Sequence, residues 1–379
     1  MGRNDWAIAA EVKPLGSAHP VPGEDSVEEF TNAGASSFIP CALAAIGMRL
    51  ATAAGAGVAG IVLSGKAMSG LVYLLLIVLA CYALRRSRWR WVTALVALIP
   101  LSVFQAAVLS ADTFCNAVAI LFVALVLSLQ EARVRSLWRL IGLAVAAFLL
   151  IAAKPTYLLL VPLLLLVPNR AIGLRSLHRN FAKIGLLGLL GVWLLFSMSR
   201  VGSIADAIRF QVPNADRIDR ARQLEFLLAN PAEMFAVVVR TFVRFGDSWL
   251  PGSLAMFGTN IVTLPQPLLL MIAIAIALAA FYGARRNPGS GTVYVACAIV
   301  TVCAVIGTLY LTFTPVGAPV AHGVQGRYWI PLLLPAAAGA AMLIFARLVM
   351  KPALAWGMVG GSALVALIAS FATWCWVLF

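Results

Sequence analysis

Long apolar blocks alternate along the chain with short basic connections, which is the pattern of a helical membrane protein. The apolar blocks predict ten membrane-spanning segments, at residues 59–84, 91–109, 113–130, 140–153, 157–168, 184–200, 262–283, 292–311, 329–349 and 354–377. A full crossing needs about 20 residues, so 140–153 and 157–168 predict two short helices that meet just inside the outer surface. A single helix kinked at Pro155 is the alternative. Residues 38–57, apolar but rich in Ala and Gly, predict an interfacial or re-entrant helix.

The composition supports this pattern. Hydrophobic residues make up 62% of the chain and charged residues 11%, whereas soluble domains have about 45–50% and about 25%. A soluble enzyme, a disordered chain and a fibrous protein are therefore excluded. The predicted fold class is an all-α, polytopic transmembrane bundle, divided into a polar outer segment (1–37), a membrane domain (38–345) and a C-terminal transmembrane region (346–379).

The net charge of +14 is confined to connections that alternate along the chain. Fifteen of the 28 Lys and Arg residues, with only one acid, lie in residues 85–90, 131–139, 169–183, 284–291 and 347–353. An excess of basic residues in short loops marks the cytoplasmic side, so we expect these connections inside and the long loop 201–261 outside. Five short, separated basic loops do not form a nucleic-acid surface. The expected location is therefore the cytoplasmic (inner) membrane.

Ten crossings would place both termini outside, which raises a question about residues 1–37. This segment has a net charge of −4 and would have to cross the membrane without a leading helix. The expectation is that sequence encoding one more apolar helix precedes Met1.

Three charged residues fall on the predicted outer side. Asp112 is the last residue of the short outer connection 110–112 and is a candidate helix cap, a candidate general base, or both. Lys154 lies between two apolar runs, where it either reaches to the interface or binds an anionic headgroup. Arg327 lies in Gly323-Val324-Gln325-Gly326-Arg327-Tyr328-Trp329 and can hold a phosphate with two parallel N–H bonds. Gln325 and Tyr328 complete the predicted substrate-binding set, although Tyr328 could equally be an interfacial aromatic.

The long outer loop contains a predicted helix of its own. Asn230-Pro231-Ala232-Glu233 is typical of a helix start, and the segment 232–245 that follows is amphipathic and basic. It is expected either to lie on the membrane surface or to pack on the bundle with solvated arginines. Neither the cysteines nor the three histidines have metal-ligand spacing, so no protein metal site is predicted.

Several of these stretches together resemble a known family. Phe104–Asp112, Lys154-Pro155-Thr156-Tyr157, Thr314-Pro315-Val316-Gly317 and Gly323–Tyr328 look like a domain-of-unknown-function family of bacterial polytopic membrane proteins, grouped with the C-type (GT-C) membrane glycosyltransferases. The likeness covers roughly residues 38–345. The family's opening helix and its Pro-Asp-Glu motif have no counterpart in this chain. Asp25, Glu28 and Glu29 lie in the corresponding loop without matching that motif.

The resemblance implies a GT-C-like architecture and a polyprenyl-phosphate-linked sugar as donor, with membrane lipid as surroundings. Asp112 would then be the catalytic carboxylate, while Lys154 and Arg327 would hold the phosphate. Whether a divalent metal ion takes part is left open. A transporter or flippase of a lipid-linked precursor and a catalytically inactive membrane subunit are the alternatives. The sugar, the acceptor and the oligomeric state are not specified by the chain.

Overall fold

The computed structural model describes residues 37–132, 134, 136–172, 185, 188, 191–192, 217–257, 262–344, 349 and 351–378. The acids of the predicted outer N-terminal segment, most of the predicted span 184–200 and residues 201–216 of the outer loop lie outside this part of the chain. So does most of the predicted basic connection 169–183.

Helices dominate the described residues. In chain order the α-helices are α1 (Ile39–Ala53), α2 (Val58–Ala83), α3 (Arg90–Ala97), α4 (Pro100–Ala106), α5 (Ala111–Gln130), α6 (Leu137–Ala153), α7 (Asn169–Ile172), α8 (Arg220–Ala229), α9 (Pro231–Leu254), α10 (Gln266–Gly283), α11 (Pro288–Phe313), α12 (Ile330–Leu343) and α13 (Pro352–Leu378). Two 3-10 helices, Pro155–Leu166 and Gly326–Trp329, interrupt this series. The strands β1 (Met256–Phe257) and β2 (Val262–Thr263) pair antiparallel, with Met256 opposite Thr263.

The predicted class, an all-α membrane protein, is confirmed. Five helices of the described chain are long and apolar enough to cross a membrane, namely α2, α5, α10, α11 and residues Pro352–Thr373 of α13. Helices α8 and α9 meet at 108° and would add a sixth crossing if they formed one broken span. The predicted number of ten spans and the GT-C-like architecture stay predictions.

Prolines explain two differences from the predicted helices. The predicted span 91–109 is divided into α3 and α4, because Pro100 begins a new helix and has no N–H to continue the previous one. The predicted helix 157–168 is a 3-10 helix over Pro155–Leu166 and contains Pro162. As the sequence predicted, α6 ends before Lys154, and the residue that precedes a proline is held in extended backbone (φ −150°, ψ 101°).

Helix α5 forms the centre of the bundle. It contacts α2, α6 and α12, and 89% of its most apolar 18-residue stretch is buried inside the protein. Near its C-terminal end, the Ser128 hydroxyl donates a hydrogen bond of 2.7 Å to the carbonyl of Ala83 at the end of α2. The two ends of α5, at Asp112 and Gln130, define two opposite ends of the bundle, which are called the Asp112 end and the Gln130 end below.

The predicted helix in residues 38–57 is α1, which folds back on α2 as a helical hairpin. The Ser64 hydroxyl donates to the carbonyl of Gly47 at 2.9 Å, and a Cβ on Gly47 would lie 2.9 Å from the Ser64 carbonyl oxygen. Glycine is thus needed for this close approach. The predicted location of this segment at the membrane interface stays a prediction.

Helix α9 begins at Pro231, as predicted, but continues to Leu254 instead of ending near Phe245. Asn230 is its first flanking residue, although the Asn side chain does not cap the helix. One side of α9 is buried through Val237 and Thr241. Exposed apolar side chains, among them Phe242 at 59%, form another side. The predicted packing of this helix on the bundle agrees with its buried side, and its location on the membrane surface stays a prediction.

Candidate functional site

Asp112 lies in the first turn of the buried helix α5. Its backbone N–H donates to the Ser110 hydroxyl at 3.2 Å, so Ser110 is the helix cap and the interpretation of Asp112 as the cap is wrong. The Asp112 carboxylate is thereby free for other contacts. Carboxylates are stabilised in the first turn because the helix dipole is positive there. Only 14% of the Asp112 side chain is exposed.

Lys154 comes from the break between α6 and the 3-10 helix Pro155–Leu166. Its Nζ lies 3.2 Å from Asp112 Oδ1 and forms a hydrogen-bonded ion pair. Lys154 also directly follows the C-terminus of α6, where the helix dipole favours a cation. Burial lowers the pKa of its ammonium group, but the neighbouring Tyr157 and Asp112 offset this and raise the pKa above its ordinary value. Lys154 is therefore a cation at neutral pH.

Arg327 approaches the same carboxylate from the other side. Its Nε lies 3.3 Å from Asp112 Oδ2, which makes an ion pair, but the Nε–H has no hydrogen-bond partner among the described residues. The Arg327 side chain is 37% exposed. One carboxylate thus lies between two cations, and the guanidinium keeps an N–H available for a ligand.

Two tyrosines support this ionic cluster. The ring of Tyr328 lies 4.3 Å from Lys154 Nζ, a cation–π contact. The buried Tyr157 donates its hydroxyl to the Tyr328 carbonyl at 3.1 Å. These contacts join the lysine segment to the arginine segment, which are more than 170 residues apart in the chain.

The segment before Arg327 is held by the helices of the outer loop. The Thr241 hydroxyl of α9 accepts a hydrogen bond from the Ala321 N–H at 2.9 Å. The Gln223 side chain of α8 accepts one from the Gly317 N–H at 3.1 Å. The C-terminal half of α9 then packs on the 3-10 helix Gly326–Trp329, with the rings of Trp249 and Trp329 only 4.9 Å apart.

The closest backbone contact of the site lies between Gly326 and Gly252. A Cβ on Gly326 would lie 2.2 Å from the Gly252 carbonyl carbon, which no side chain can tolerate without movement of the backbone. The close approach of α9 is therefore the reason that glycine is required beside Arg327. Gln325 precedes this contact, and its carbonyl accepts from the Tyr328 N–H at 3.1 Å.

Several polar atoms near the ionic cluster have no partner in the described part of the chain. They are Gln105 Oε1, Asn116 Nδ2, Thr156 Oγ1 and Trp329 Nε1. Asn116 follows Asp112 by one helical turn, and the backbone carbonyl of Gln105 accepts from Thr113 Oγ1 at 2.5 Å. Buried polar atoms are normally paired, so this set is able to bond a ligand or ordered water.

The structure brings together three of the predicted site residues directly, Asp112, Lys154 and Arg327, with Tyr328 beside them. Gln325 contributes its backbone to the same turn. The predictions missed Tyr157, although it lies in the Lys-Pro-Thr-Tyr stretch after α6, and Gly252, which no sequence motif marks. Within the described residues, no group of three or more His, Cys, Asp or Glu side chains could hold a metal ion.

Helices of spanning length, packed around one buried helix and apolar on their outer surfaces, define an integral membrane protein that crosses the bilayer several times. The particular family follows from comparison: the chain belongs to the family described as predicted membrane protein (DUF2142), whose model matches residues 26–336. The expected membership of a membrane-protein family is thereby confirmed. No curated protein and no solved structure matches the chain.

Proposed function

We propose that this protein is a membrane glycosyltransferase that uses a polyprenyl-phosphate-linked sugar at the outer face of the bacterial cytoplasmic membrane. The observation that carries the proposal is the Asp112 carboxylate held between Lys154 and Arg327 at one end of α5. The resemblance to GT-C glycosyltransferases supports the same assignment.

The charge of the cluster fits the donor. One carboxylate and two cations leave a net charge of +1, which matches the single negative charge of a phosphodiester between a polyprenol and a sugar. An Arg guanidinium binds phosphate oxygens bidentately, and a Lys ammonium adds a point charge. When the donor binds, the two cations turn from Asp112 to the phosphate, and the carboxylate is released from its ion pairs.

The released carboxylate then acts as a general base. Asp112 accepts the proton of an acceptor hydroxyl, whose oxygen attacks the anomeric carbon of the sugar. The bond between that carbon and the phosphate oxygen breaks, and the electron pair leaves with the phosphate. The product polyprenyl phosphate carries one more negative charge than the donor diester, and Lys154 and Arg327 stabilise this charge as it develops.

Helix α9 supports the delivery of a long lipid to this site. Its exposed Phe235, Phe242 and Val243 present apolar surface to the surroundings, with exposures of 76%, 59% and 78%. The other side of the same helix packs on Gly326–Trp329. A polyprenyl chain in the membrane can therefore contact α9 while its phosphate contacts Arg327.

One observation favours a second candidate, a transporter of a lipid-linked precursor. The segment from α6 to Leu166 is broken at Lys154, and broken helices with charged residues at the break are typical of transporters. The two functions differ in their chemistry, because only the transferase breaks the bond between the sugar and the phosphate.

Binding of decaprenyl phosphate and of decaprenol to the purified full-length protein in detergent tests the proposal. We expect binding of the phosphate and at least tenfold weaker binding of the alcohol. Arg327→Lys should weaken phosphate binding about tenfold, because Lys makes no bidentate contact. Arg244→Lys on exposed α9 is the matched control and should bind normally. Equal binding of the phosphate and the alcohol would refute a phosphate site.

Transfer itself is measured with a panel of radiolabelled polyprenyl-phosphate sugars and a membrane extract as acceptor source. Asp112→Asn should retain phosphate binding, since it frees both cations, but should lose sugar transfer. If Asp112→Asn abolishes binding instead, the carboxylate is structural and the general-base role is wrong. If labelled donor crosses the bilayer of proteoliposomes unchanged in wild type and Asp112→Asn alike, the transporter replaces the transferase.

A further inference from the structure

A large polar cavity opens at the Gln130 end of the bundle, away from the ionic cluster of Asp112. Its volume is about 750 Å³. Asp112 and Gln130 are 18 residues apart on α5, which corresponds to about 27 Å at 1.5 Å per residue. The cavity is therefore a separate place in the fold.

The cavity is formed where four chain connections meet. They are the α2–α3 connection, the end of α5, the segment around α7 and the α10–α11 connection. All four belong to the connections whose basic charge predicts a cytoplasmic location. The structure thus gathers charges that are far apart in the chain around one space.

Arginines determine the electrostatic character of this space. Arg86, Arg88, Arg170 and Arg285 line it, whereas Glu131 is the only acidic residue in its described lining. Arg88 is held in place because its guanidinium lies 4.7 Å from the ring centre of Tyr282. Its Nη1 is buried and has no hydrogen-bond partner among the described residues. A buried guanidinium N–H without a partner is costly and is satisfied when an anion binds.

The uncharged residues that line the cavity include the first residues of a helix. Helix α11 begins at the cavity, and its cap residue Asn287 accepts a hydrogen bond from the Ser290 N–H at 3.2 Å. The Asn287 N–H in turn donates to the Met342 carbonyl at 3.2 Å and fixes this connection to α12. The positive end of the α11 dipole therefore points toward the same space as the arginines.

We propose that this cavity binds a phosphate group, namely the phosphate of an anionic phospholipid headgroup. The volume lies within the range of about 300–1,000 Å³ typical of ligand sites. Arginines that only anchored the protein to the membrane surface would need neither a shared cavity nor a buried, unpaired N–H. Basic pockets between helix ends at the cytoplasmic surface are suited to anionic headgroups.

The test uses the purified full-length protein in detergent with three probes: dioctanoyl phosphatidylglycerol, dioctanoyl phosphatidylcholine and inorganic phosphate. We expect phosphatidylglycerol to raise the thermal midpoint with increasing concentration, and phosphatidylcholine at equal concentration not to. The double variant Arg88→Gln, Arg285→Gln should lower the affinity for phosphatidylglycerol at least tenfold. Arg49→Gln removes an exposed charge from α1 and should leave the affinity unchanged.

Two further measurements identify whether the bound phosphate belongs to a lipid and at which end of the bundle it binds. A thermal midpoint that rises with millimolar inorganic phosphate but not with phosphatidylglycerol would overturn the lipid assignment in favour of a soluble phosphate. Arg327→Lys at the other end of the bundle should leave phosphatidylglycerol binding intact, which separates this result from failure of the proposed transferase site. If Arg88→Gln fails to accumulate, the exposed Arg285→Gln alone should still weaken binding. Equal affinity in wild type and the arginine variants would overturn the proposal.

Discussion

The contact between Gly326 and Gly252 predicts that Gly326→Ala separates α9 from the segment that carries Arg327. The new Cβ would lie 2.2 Å from the Gly252 carbonyl carbon, whereas real Cβ contacts essentially never fall below 3.0 Å. The two backbones must therefore move apart by at least 0.8 Å. No side-chain rotation can relieve the clash, because the neighbouring atoms are all backbone.

Gly326→Ala should lower both the stability of the protein and its affinity for decaprenyl phosphate. Overpacking of a core typically costs about 1–3 kcal/mol, and a backbone clash should fall at the upper end of this range. Arg327 directly follows Gly326, so the shift also moves its Nε away from Asp112 Oδ2, now 3.3 Å distant. We expect a lower thermal midpoint in detergent and roughly tenfold weaker binding of decaprenyl phosphate, or about 1.4 kcal/mol.

Two other glycines of α9 provide graded controls. A Cβ on Gly252 would lie 3.1 Å from Gly326 Cα, so Gly252→Ala should cost less than Gly326→Ala. A Cβ on Gly246 would lie 3.6 Å from the ring of Phe242, an ordinary contact, so Gly246→Ala should be neutral or slightly stabilising. If Gly326→Ala is as stable and binds as well as Gly246→Ala, the close approach of the two backbones is wrong.

Three further predictions follow from the fold. In a cysteine-free background, Arg220→Cys should react with an impermeant thiol reagent added outside the cell, and Arg86→Cys should react only after permeabilisation. The reverse pattern would contradict the topology. Tyr157→Phe should destabilise the protein by about 1 kcal/mol in thermal unfolding, because the half-buried Tyr328 carbonyl loses its donor. An unchanged midpoint would refute this bond. Phe235→Ser, at a side chain that is 76% exposed, should leave the thermal midpoint nearly unchanged but weaken decaprenyl phosphate binding, and normal binding would remove α9 from the lipid path.

The membrane class and the three charged site residues could be predicted from the sequence because each depends on local information. The length of an apolar block predicts a membrane helix, and a charged residue between two such blocks is rare enough to be a site candidate. The break at Lys154 was predicted in the same way, since the proline that follows prevents a helix from continuing. The sequence could also indicate that Asp112, Lys154 and Arg327 share one side, because basic connections alternate along the chain.

What could not be predicted depends on packing between distant segments. Ser110 and Asp112 are only two residues apart, and only the geometry decides which of them caps α5. The close approach of Gly326 to Gly252 and the bond from Tyr157 to Tyr328 join residues that are far apart in the chain. Pro100 is the sequence signal for the division of 91–109 into α3 and α4, but the apolar block is unbroken at this proline, so hydrophobicity alone predicts one helix.

Because α5 is buried, its length sets the distance and the relative rotation between the two ends of the protein. Each residue of an α-helix adds about 1.5 Å and about 100° of rotation, and the packed neighbours leave α5 no room to bend or slide. Lengthening it by a single residue near its middle would keep the composition and the apolar character almost unchanged. It would nevertheless turn Asp112 away from Lys154 and Arg327, or turn Ser128 away from Ala83. The exact count of residues between the two ends is therefore under stronger constraint than the identity of the apolar side chains that fill it.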